Sequence, residues 1–122
     1  MARILVVEDD KWSRRIVVDL LQMRGHEVIE SIDAASARAG LTQAPELVLL
    51  DIQFPGGNGL EILAEVRAEP SLATLPVIAL TASAMSGDRE RFLRQGFTAY
   101  MSKPIDVKTF GSTIESYLRG PQ

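Results

Sequence analysis

Residues 47–59 read Leu47-Val48-Leu49-Leu50-Asp51-Ile52-Gln53-Phe54-Pro55-Gly56-Gly57-Asn58-Gly59, and the rest of the predicted fold is arranged around them. Its apolar start has the length of a buried β-strand and ends on a carboxylate, Asp51. The proline and the glycines that follow predict a loop until a helix begins near Leu60. Asp51 is therefore expected at the carboxyl end of a strand, presented rather than buried.

Three other apolar runs lead to polar residues in the same way. Residues 4–7 run into Glu8 and Asp9, residues 77–80 run into Thr81, and residues 97–101 end two positions before Lys103. A charged, shorter run over residues 27–31 is typical of a sheet edge. If these runs are parallel strands of one sheet, their polar ends share the edge at which open α/β sheets hold their sites.

The segments between and after the strands have helical spacing. We expect helices over residues 12–24, 60–68, 85–95 and 107–118, and an Ala-rich helix that Asp33 caps and that reaches about Gln43. Five strands alternating with five helices predict a parallel sheet covered by helices on both faces. Because only the second strand lacks a functional polar end, the predicted strand order is 2-1-3-4-5.

Length and composition limit the classes of function. The 122 residues fit one domain spanning 1–122, and the formal charge of −3 argues against direct DNA binding. The chain has no cysteine, which excludes disulfides and thiolate metal sites. It has no apolar run of membrane-spanning length, and Met1-Ala2-Arg3 leads directly into the first strand without the hydrophobic region of a signal peptide. A cytoplasmic protein without a membrane partner is expected.

The predicted strand order places Glu8 and Asp9 roughly 5 Å, one strand spacing, from Asp51. Three carboxylates so close would raise one another's pKa unless a cation sat among them. An oxygen-only cluster favours Mg²⁺ over Zn²⁺, and a carboxylate beside Mg²⁺ can act as a nucleophile toward a phosphoryl group. Thr81 and Lys103 stand at strand ends from which they could meet the charge on phosphoryl oxygens.

Together these residues resemble the receiver domain of two-component response regulators, in particular the single-domain, CheY-like and DivK-like members. The resemblance covers essentially the whole chain and rests on a joint pattern: Glu8-Asp9 after Val6-Val7, Leu50-Asp51-Ile52 with Pro55 and Gly59, Thr81-Ala82, and Tyr100 before Lys103-Pro104. It implies a flavodoxin-like, doubly wound (βα)5 fold and a cis peptide before Pro104.

The resemblance also implies a function. Asp51 would accept a phosphoryl group from a sensor histidine kinase or a histidine phosphotransfer protein, Thr81 and Lys103 would bind phosphoryl oxygens, and Tyr100 would move inward with Thr81. The chain would be a regulatory phosphoacceptor that assists its own phosphorylation and dephosphorylation, not an enzyme with an external substrate. Mg²⁺, or alternatively Mn²⁺, would be held by four groups: the carboxylates of Glu8, Asp9 and Asp51 and the backbone carbonyl of Gln53.

In receivers the surface of the fourth helix, fifth strand and fifth helix commonly contacts partners. We expect it to bind a downstream protein target, or a second copy in a phosphorylation-dependent homodimer. The candidate contact residues are Arg89, Arg91, Arg94, Tyr100 and Met101. The simpler alternatives are a solvated arginine face and a half-buried core tyrosine.

Two rival functions remain open. One is a Mg²⁺-dependent phosphohydrolase with an aspartyl nucleophile, although Asp51-Ile52-Gln53 lacks the second acid that such enzymes place two residues on. The other is a binding module that is never phosphorylated, for which Asp51→Asn would have no effect. Asp10 is expected to be a helix cap, and His26 a loop residue without a role as a phosphoryl donor.

Overall fold

The computed structural model describes residues 2–54, 57–81 and 88–118, with only the backbone described at 53, 54, 57, 88 and 89. Five parallel strands form the sheet in the order β2-β1-β3-β4-β5. Their bounds are β1 Arg3–Val7, β2 Glu27–Ser31, β3 Leu47–Asp51, β4 Val77–Thr81 and β5 Ala99–Ser102. The predicted topology, with its switch between β1 and β3, is confirmed.

Five α-helices connect and follow the strands: α1 Lys11–Met23, α2 Ala34–Leu41, α3 Gly59–Ala68, α4 Asp88–Gln95 and α5 Phe110–Leu118. Three of them begin at a side chain that satisfies a free backbone amide. Asp10 accepts from the Ser13 amide at 2.8 Å, Asp33 forms a capping box with Ser36, and Asn58 accepts from the Glu61 amide at 3.1 Å. The expected caps at Asp10 and Asp33 are confirmed.

The sheet separates two apolar layers. Alternate strand residues, among them Leu5, Val48 and Val77, pack beneath α2, α3 and α4, while Ile4, Leu49 and their neighbours pack beneath α1 and α5. Residues on both faces are buried, which explains why the strands read as nearly continuous apolar runs. No helix among the described residues is long and apolar enough to span a membrane.

Two predicted boundaries and one predicted loop were wrong. The fifth strand begins at Ala99 rather than at 97, because the Phe97 amide donates to the Phe92 carbonyl at 3.1 Å and the Phe97 ring enters the core. The last helix begins at Phe110 rather than at 107, because residues 107–109 form a turn in which the Lys108 amide donates to Oδ1 of Asp106 at 2.9 Å. The predicted loop after Asp51 contains a two-residue antiparallel pairing of Gln53–Phe54 with Gly57–Asn58.

Two stretches of the sequence predictions fall outside the described residues. They are Pro55 with Gly56, and Ala82 with the first residues of the predicted fourth helix, 85–87. The fourth helix is described from Asp88 onward.

Candidate functional site

The polar strand ends meet at the carboxyl edge of the sheet. Val7 pairs with Leu50 across β1 and β3, so Glu8 and Asp9 emerge beside Asp51. Thr81 ends the neighbouring strand β4, and Lys103 follows β5 directly. The main-chain amide of Lys103 donates to the Thr81 carbonyl at 2.8 Å, which holds these two residues together.

An acidic cluster lies at the switch between β1 and β3. One carboxylate oxygen from each of Glu8, Asp9 and Asp51 lies within 4.8 Å of the others. Glu8 is fully buried, the Asp51 side chain is 14% exposed, and Asp9 is exposed. Mg²⁺ holds its oxygen ligands at about 2.1 Å, and therefore at most about 4.2 Å apart. The three carboxylates thus fit one hard divalent cation after small side-chain adjustments.

Lys103 brings a positive charge into this cluster. Its ammonium lies 3.3 Å from Oδ2 of Asp51 and forms an ion pair with Oε1 of Glu8. The other Glu8 oxygen accepts from the Asp10 amide at 3.1 Å. The Lys103-Pro104 peptide is cis, as the resemblance implied. The lysine is therefore already seated against the candidate phosphoacceptor.

Burial changes the ionisation of this cluster. Burial, followed by a hydrogen bond with Asp51, raises the pKa of Glu8 to about 7, against the opposing effects of Lys103 and the Asp10 amide. Burial alone would lower the pKa of Lys103, but Glu8 and Asp51 outweigh it and the pKa is raised. Lys103 is therefore positively charged at neutral pH, beside a carboxyl group that gives up its proton reluctantly.

Gly59 fixes the position of the Asp51 backbone. A Cβ atom on Gly59 would lie 2.5 Å from the carbonyl oxygen of Asp51 and 3.1 Å from Cα of Ile52. The Gly59 amide donates to the Ile52 carbonyl at 2.6 Å. Only glycine allows α3 to begin directly against the end of β3, which gives a structural reason for a glycine at this position.

Thr81 and Tyr100 lie on the adjacent strands β4 and β5. Thr81 is buried, with 6% of its surface exposed, and pairs with Ser102 in the sheet. Tyr100 is half-buried, and its ring centroid lies 5.8 Å from that of Phe92 in α4. Tyr100 therefore connects β5 to α4, and Thr81 ends β4, the strand that precedes both of them in the chain order β4-α4-β5.

The family model of the response regulator receiver domain matches residues 4–115, which is most of the chain. The chain belongs to the response regulator receiver family. This receiver is 40% identical over 116 residues to the polar-differentiation response regulator DivK of Brucella anthropi, with 94% of each chain covered. It is DivK-like in sequence, as the joint motif predicted.

Two solved structures that are similar to this chain hold metal ions. The Mn²⁺-bound form of response regulator Rcp1 is 32% identical, with a TM-score of 0.82, and the match covers 100% of this chain and 98% of Rcp1. The receiver domain of the sensor histidine kinase PA1611 of Pseudomonas aeruginosa PAO1, with magnesium coordinated in its active-site cleft, is 29% identical with a TM-score of 0.87. That match covers 98% of both chains.

The predicted partner residues of this receiver lie on and beside α4 and β5. Arg91 and Arg94 are exposed, and the Arg91 guanidinium lies 5.1 Å from the centre of the Phe92 ring. Tyr100 and Met101 line a groove of about 570 Å³ between α4, β5 and α5. The Arg89 side chain is outside the described part of the chain.

The sequence prediction missed a polar network between α1 and α5. The His26 side chain is only 7% exposed; its Nδ1 accepts from the Ala2 amide at 3.1 Å and its Nε2 therefore donates to Glu115 at 2.9 Å. Glu115 also accepts two bonds of 2.8 Å from Arg24. These partners are 89 and 91 positions apart in the chain, so no local pattern could indicate the network.

Proposed function

We propose that Asp51 of this receiver accepts a phosphoryl group in a Mg²⁺-dependent reaction, from a sensor histidine kinase or a histidine phosphotransfer protein. One observation carries the proposal. The carboxylates of Glu8, Asp9 and Asp51 and the ammonium of Lys103, distant in sequence, converge at one edge of the sheet. A nucleophile, a candidate metal site and a fixed cation are the groups that phosphoryl transfer to a carboxylate needs.

The metal would be held by Glu8, Asp9 and Asp51, together with the backbone carbonyl of Gln53, two residues after Asp51. When bound, Mg²⁺ would neutralise the clustered carboxylates and the negative charge on the phosphoryl oxygens. Mn²⁺, which prefers similar oxygen ligands, could replace it. Glu8 is buried and its pKa is about 7, so cation binding would be accompanied by proton release from this residue.

The residues of the chain then have distinct tasks. A carboxylate oxygen of Asp51 bonds to phosphorus, while the bond from phosphorus to the donor's imidazole nitrogen breaks and that nitrogen keeps the electron pair. Lys103, whose ammonium lies 3.3 Å from Asp51, pairs with one phosphoryl oxygen. The Thr81 hydroxyl donates to another, and its movement is followed by that of Tyr100. Hydrolysis of the acyl phosphate by water resets the protein.

The new charge on Asp51 would change the surface formed by α4, β5 and α5. We propose that this surface binds a downstream protein, or a second copy of the chain, through Arg89, Arg91, Arg94, Tyr100 and Met101. The groove of about 570 Å³ beside Tyr100 and Met101 supports this proposal. In this proposal residues 1–122 form one cytoplasmic domain that acts as a regulatory phosphoacceptor.

The test is to incubate the protein with acetyl phosphate and Mg²⁺ and to follow its intact mass. We expect one phosphoryl group per chain, and no labelling in Asp51→Asn or in the presence of EDTA. Asp10→Asn is the matched control, because the Asp10 side chain caps α1, asparagine caps equally well, and the backbone amide that donates to Glu8 is kept. Sustained turnover of phosphate esters would favour the phosphohydrolase, and a wild-type chain that never labels would favour the binding module.

A further inference from the structure

Arg67, in the last turn of α3, joins this helix to two other segments, residues 73–75 and 96–98, through its guanidinium. Its Nε donates to the Gly96 carbonyl at 2.8 Å, and Nη1 donates to the carbonyls of Leu75 at 2.7 Å and Ala73 at 3.4 Å. Nη2 lies 3.5 Å from the Thr98 hydroxyl oxygen. Every one of these acceptors is neutral. Arg67 therefore holds main-chain segments in place rather than balancing a charge.

The environment of Arg67 differs from that of an ordinary surface arginine. Burial lowers the pKa of Arg67, and among the described residues it has no carboxylate partner. Arg38, on α2, provides the contrast, since it is exposed and makes a forked ion pair with the Glu65 carboxylate on α3. Burying a cation without a counter-ion costs free energy unless hydrogen bonds satisfy its donors, so the guanidinium stays in this position because these hydrogen bonds form.

The segment that Arg67 holds most directly is the carboxyl end of α4. Gly96 follows the helix with φ +114°, and its amide donates to the Leu93 carbonyl at 3.2 Å. The Phe97 amide donates to Phe92, and the two buried rings meet edge to face with their centroids 5.7 Å apart. Arg67 adds a positive charge where the helix dipole is negative. This end of α4 is therefore fastened both to the core and to α3.

The topology places the two ends of α4 at opposite edges of the sheet. The helix follows β4 and precedes β5, so its Asp88 end lies at the edge that carries Asp51, and its Gln95 end lies at the far edge. α3 runs the same way, beginning with Gly59 against the Asp51 backbone and ending with Arg67 against Gly96. The far ends of the two helices are therefore tied together, away from the site.

We infer that Arg67 is a positioning residue that anchors the carboxyl end of α4, so that phosphorylation of Asp51 turns α4 about Gly96 and moves mainly its Asp88 end. The inference rests on the proposed function for the event that turns the helix. The anchoring itself rests only on the contacts of Arg67. Arg67 contacts none of Glu8, Asp9, Asp51 or Lys103 in the described structure, so it would affect the response of α4 without affecting the chemistry.

The test is amide hydrogen exchange of the full chain, with and without acetyl phosphate and Mg²⁺. Arg67→Met removes the hydrogen-bond donors and keeps an extended side chain. Arg67→Lys keeps the positive charge but not the several donors of the guanidinium. Arg38→Met is the matched control, because Arg38 reaches α3 from α2 through its ion pair with Glu65. We expect Arg67→Met to speed exchange over residues 93–98 by about tenfold or more in the unphosphorylated protein. We expect Arg67→Lys to fall between Arg67→Met and the wild type, and Arg38→Met to match the wild type.

Phosphorylation provides the second readout. In the wild type it should change exchange mainly over residues 88–91; in Arg67→Met the change should extend through 93–98, while the rate of Asp51 labelling stays at the wild-type value. The inference is overturned if Arg67→Met exchanges like the wild type over 93–98. It is also overturned if exchange rises equally in α1, which would indicate only global destabilisation, or if phosphorylation changes both ends of wild-type α4 alike.

The two proposals fail separately. A wild-type chain that never labels at Asp51 would overturn the proposed function and, with it, the turning of α4. Anchoring by Arg67 would then be decided by exchange over residues 93–98 in the unphosphorylated variants alone.

Discussion

Replacing Gly59 with alanine tests how the fold positions the phosphoacceptor. The added Cβ would lie 2.5 Å from the Asp51 carbonyl oxygen, about 1 Å short of a comfortable contact of about 3.5 Å. Main-chain atoms form most of this contact, so relief requires α3 and the end of β3 to separate. Such overpacking costs about 1–3 kcal/mol, or about 3–6 °C in Tm for each kcal/mol in a domain of this size.

The same separation would displace the Asp51 carboxylate from Lys103 and from the acidic cluster. Because misplacement by about 1 Å can cost about 100-fold in rate, we expect Gly59→Ala to label with acetyl phosphate at least about tenfold more slowly than the wild type. The assay is the initial rate of labelling by intact mass, beside a thermal melt, at a temperature where both proteins are folded.

Gly40→Ala is the matched control. Its Cβ would also meet an atom at 2.5 Å, but that atom is Cδ1 of Leu5, a side-chain methyl that can rotate away. Gly40 lies at the carboxyl end of α2, before β3 begins, and therefore at the edge of the sheet opposite Asp51. We expect Gly40→Ala to change Tm and leave the labelling rate of the folded protein unchanged. If Gly59→Ala labelled at the wild-type rate, the close contact between α3 and the end of β3 would not be what positions Asp51.

Three further predictions concern the charges and a helix cap. Hydrogen bonds from Arg24 hold the pKa of Glu115 at about 2, below its usual 4.5, so Glu115 stabilises the fold above about pH 4.5 and loses that effect as the pH falls towards 2. In urea unfolding, Glu115→Gln should therefore be less stable than the wild type at neutral pH, and this difference in the free energy of unfolding should shrink in acid. The control Glu90→Gln, at an exposed position, should show no such loss. The pKa of Glu8 is raised to about 7 in the folded protein, so the stability contributed by its protonated form is lost as the pH rises through 7. In EDTA, Glu8→Gln should therefore resist urea better than the wild type at about pH 8 and no better at about pH 4.5. If Glu8→Gln and the wild type resisted urea equally at both pH values, the raised pKa would be contradicted. Asn58→Ala removes the cap of α3 and should lower the free energy of unfolding by about 1 kcal/mol, whereas Asn58→Asp should not.

The architecture could be predicted because its signals are local. Each buried strand is an apolar run that ends on a polar residue, and Asp10 and Asp33 cap helices in the way that their positions indicated. Boundaries were wrong where a tertiary contact decided them. Phe97 is a residue type that is common in strands, yet its hydrogen bond to Phe92 and its buried ring place it directly after α4.

The candidate site could be predicted as a set of residues but not as a geometry. Strand order and motif indicated that Glu8, Asp51 and Lys103 would meet, whereas the raised pKa of Glu8 depends on its complete burial, which no spacing specifies. Arg67 gives no signal at all in the sequence. It reads as a surface arginine at a helix end, and only the fold places the Gly96 carbonyl, 29 positions later, within its reach.

If Asp51 is the Mg²⁺-dependent phosphoacceptor, the phosphoryl group must be found on Asp51, and its position can be determined chemically. After incubation with acetyl phosphate and Mg²⁺, borohydride reduction converts an aspartyl phosphate to homoserine, and peptide mass spectrometry then identifies the residue. We expect homoserine at position 51 alone, and at no position when EDTA replaces Mg²⁺. Reduction at Asp9 or Asp10, or labelling of Asp51 that is unchanged in EDTA, would contradict this assignment.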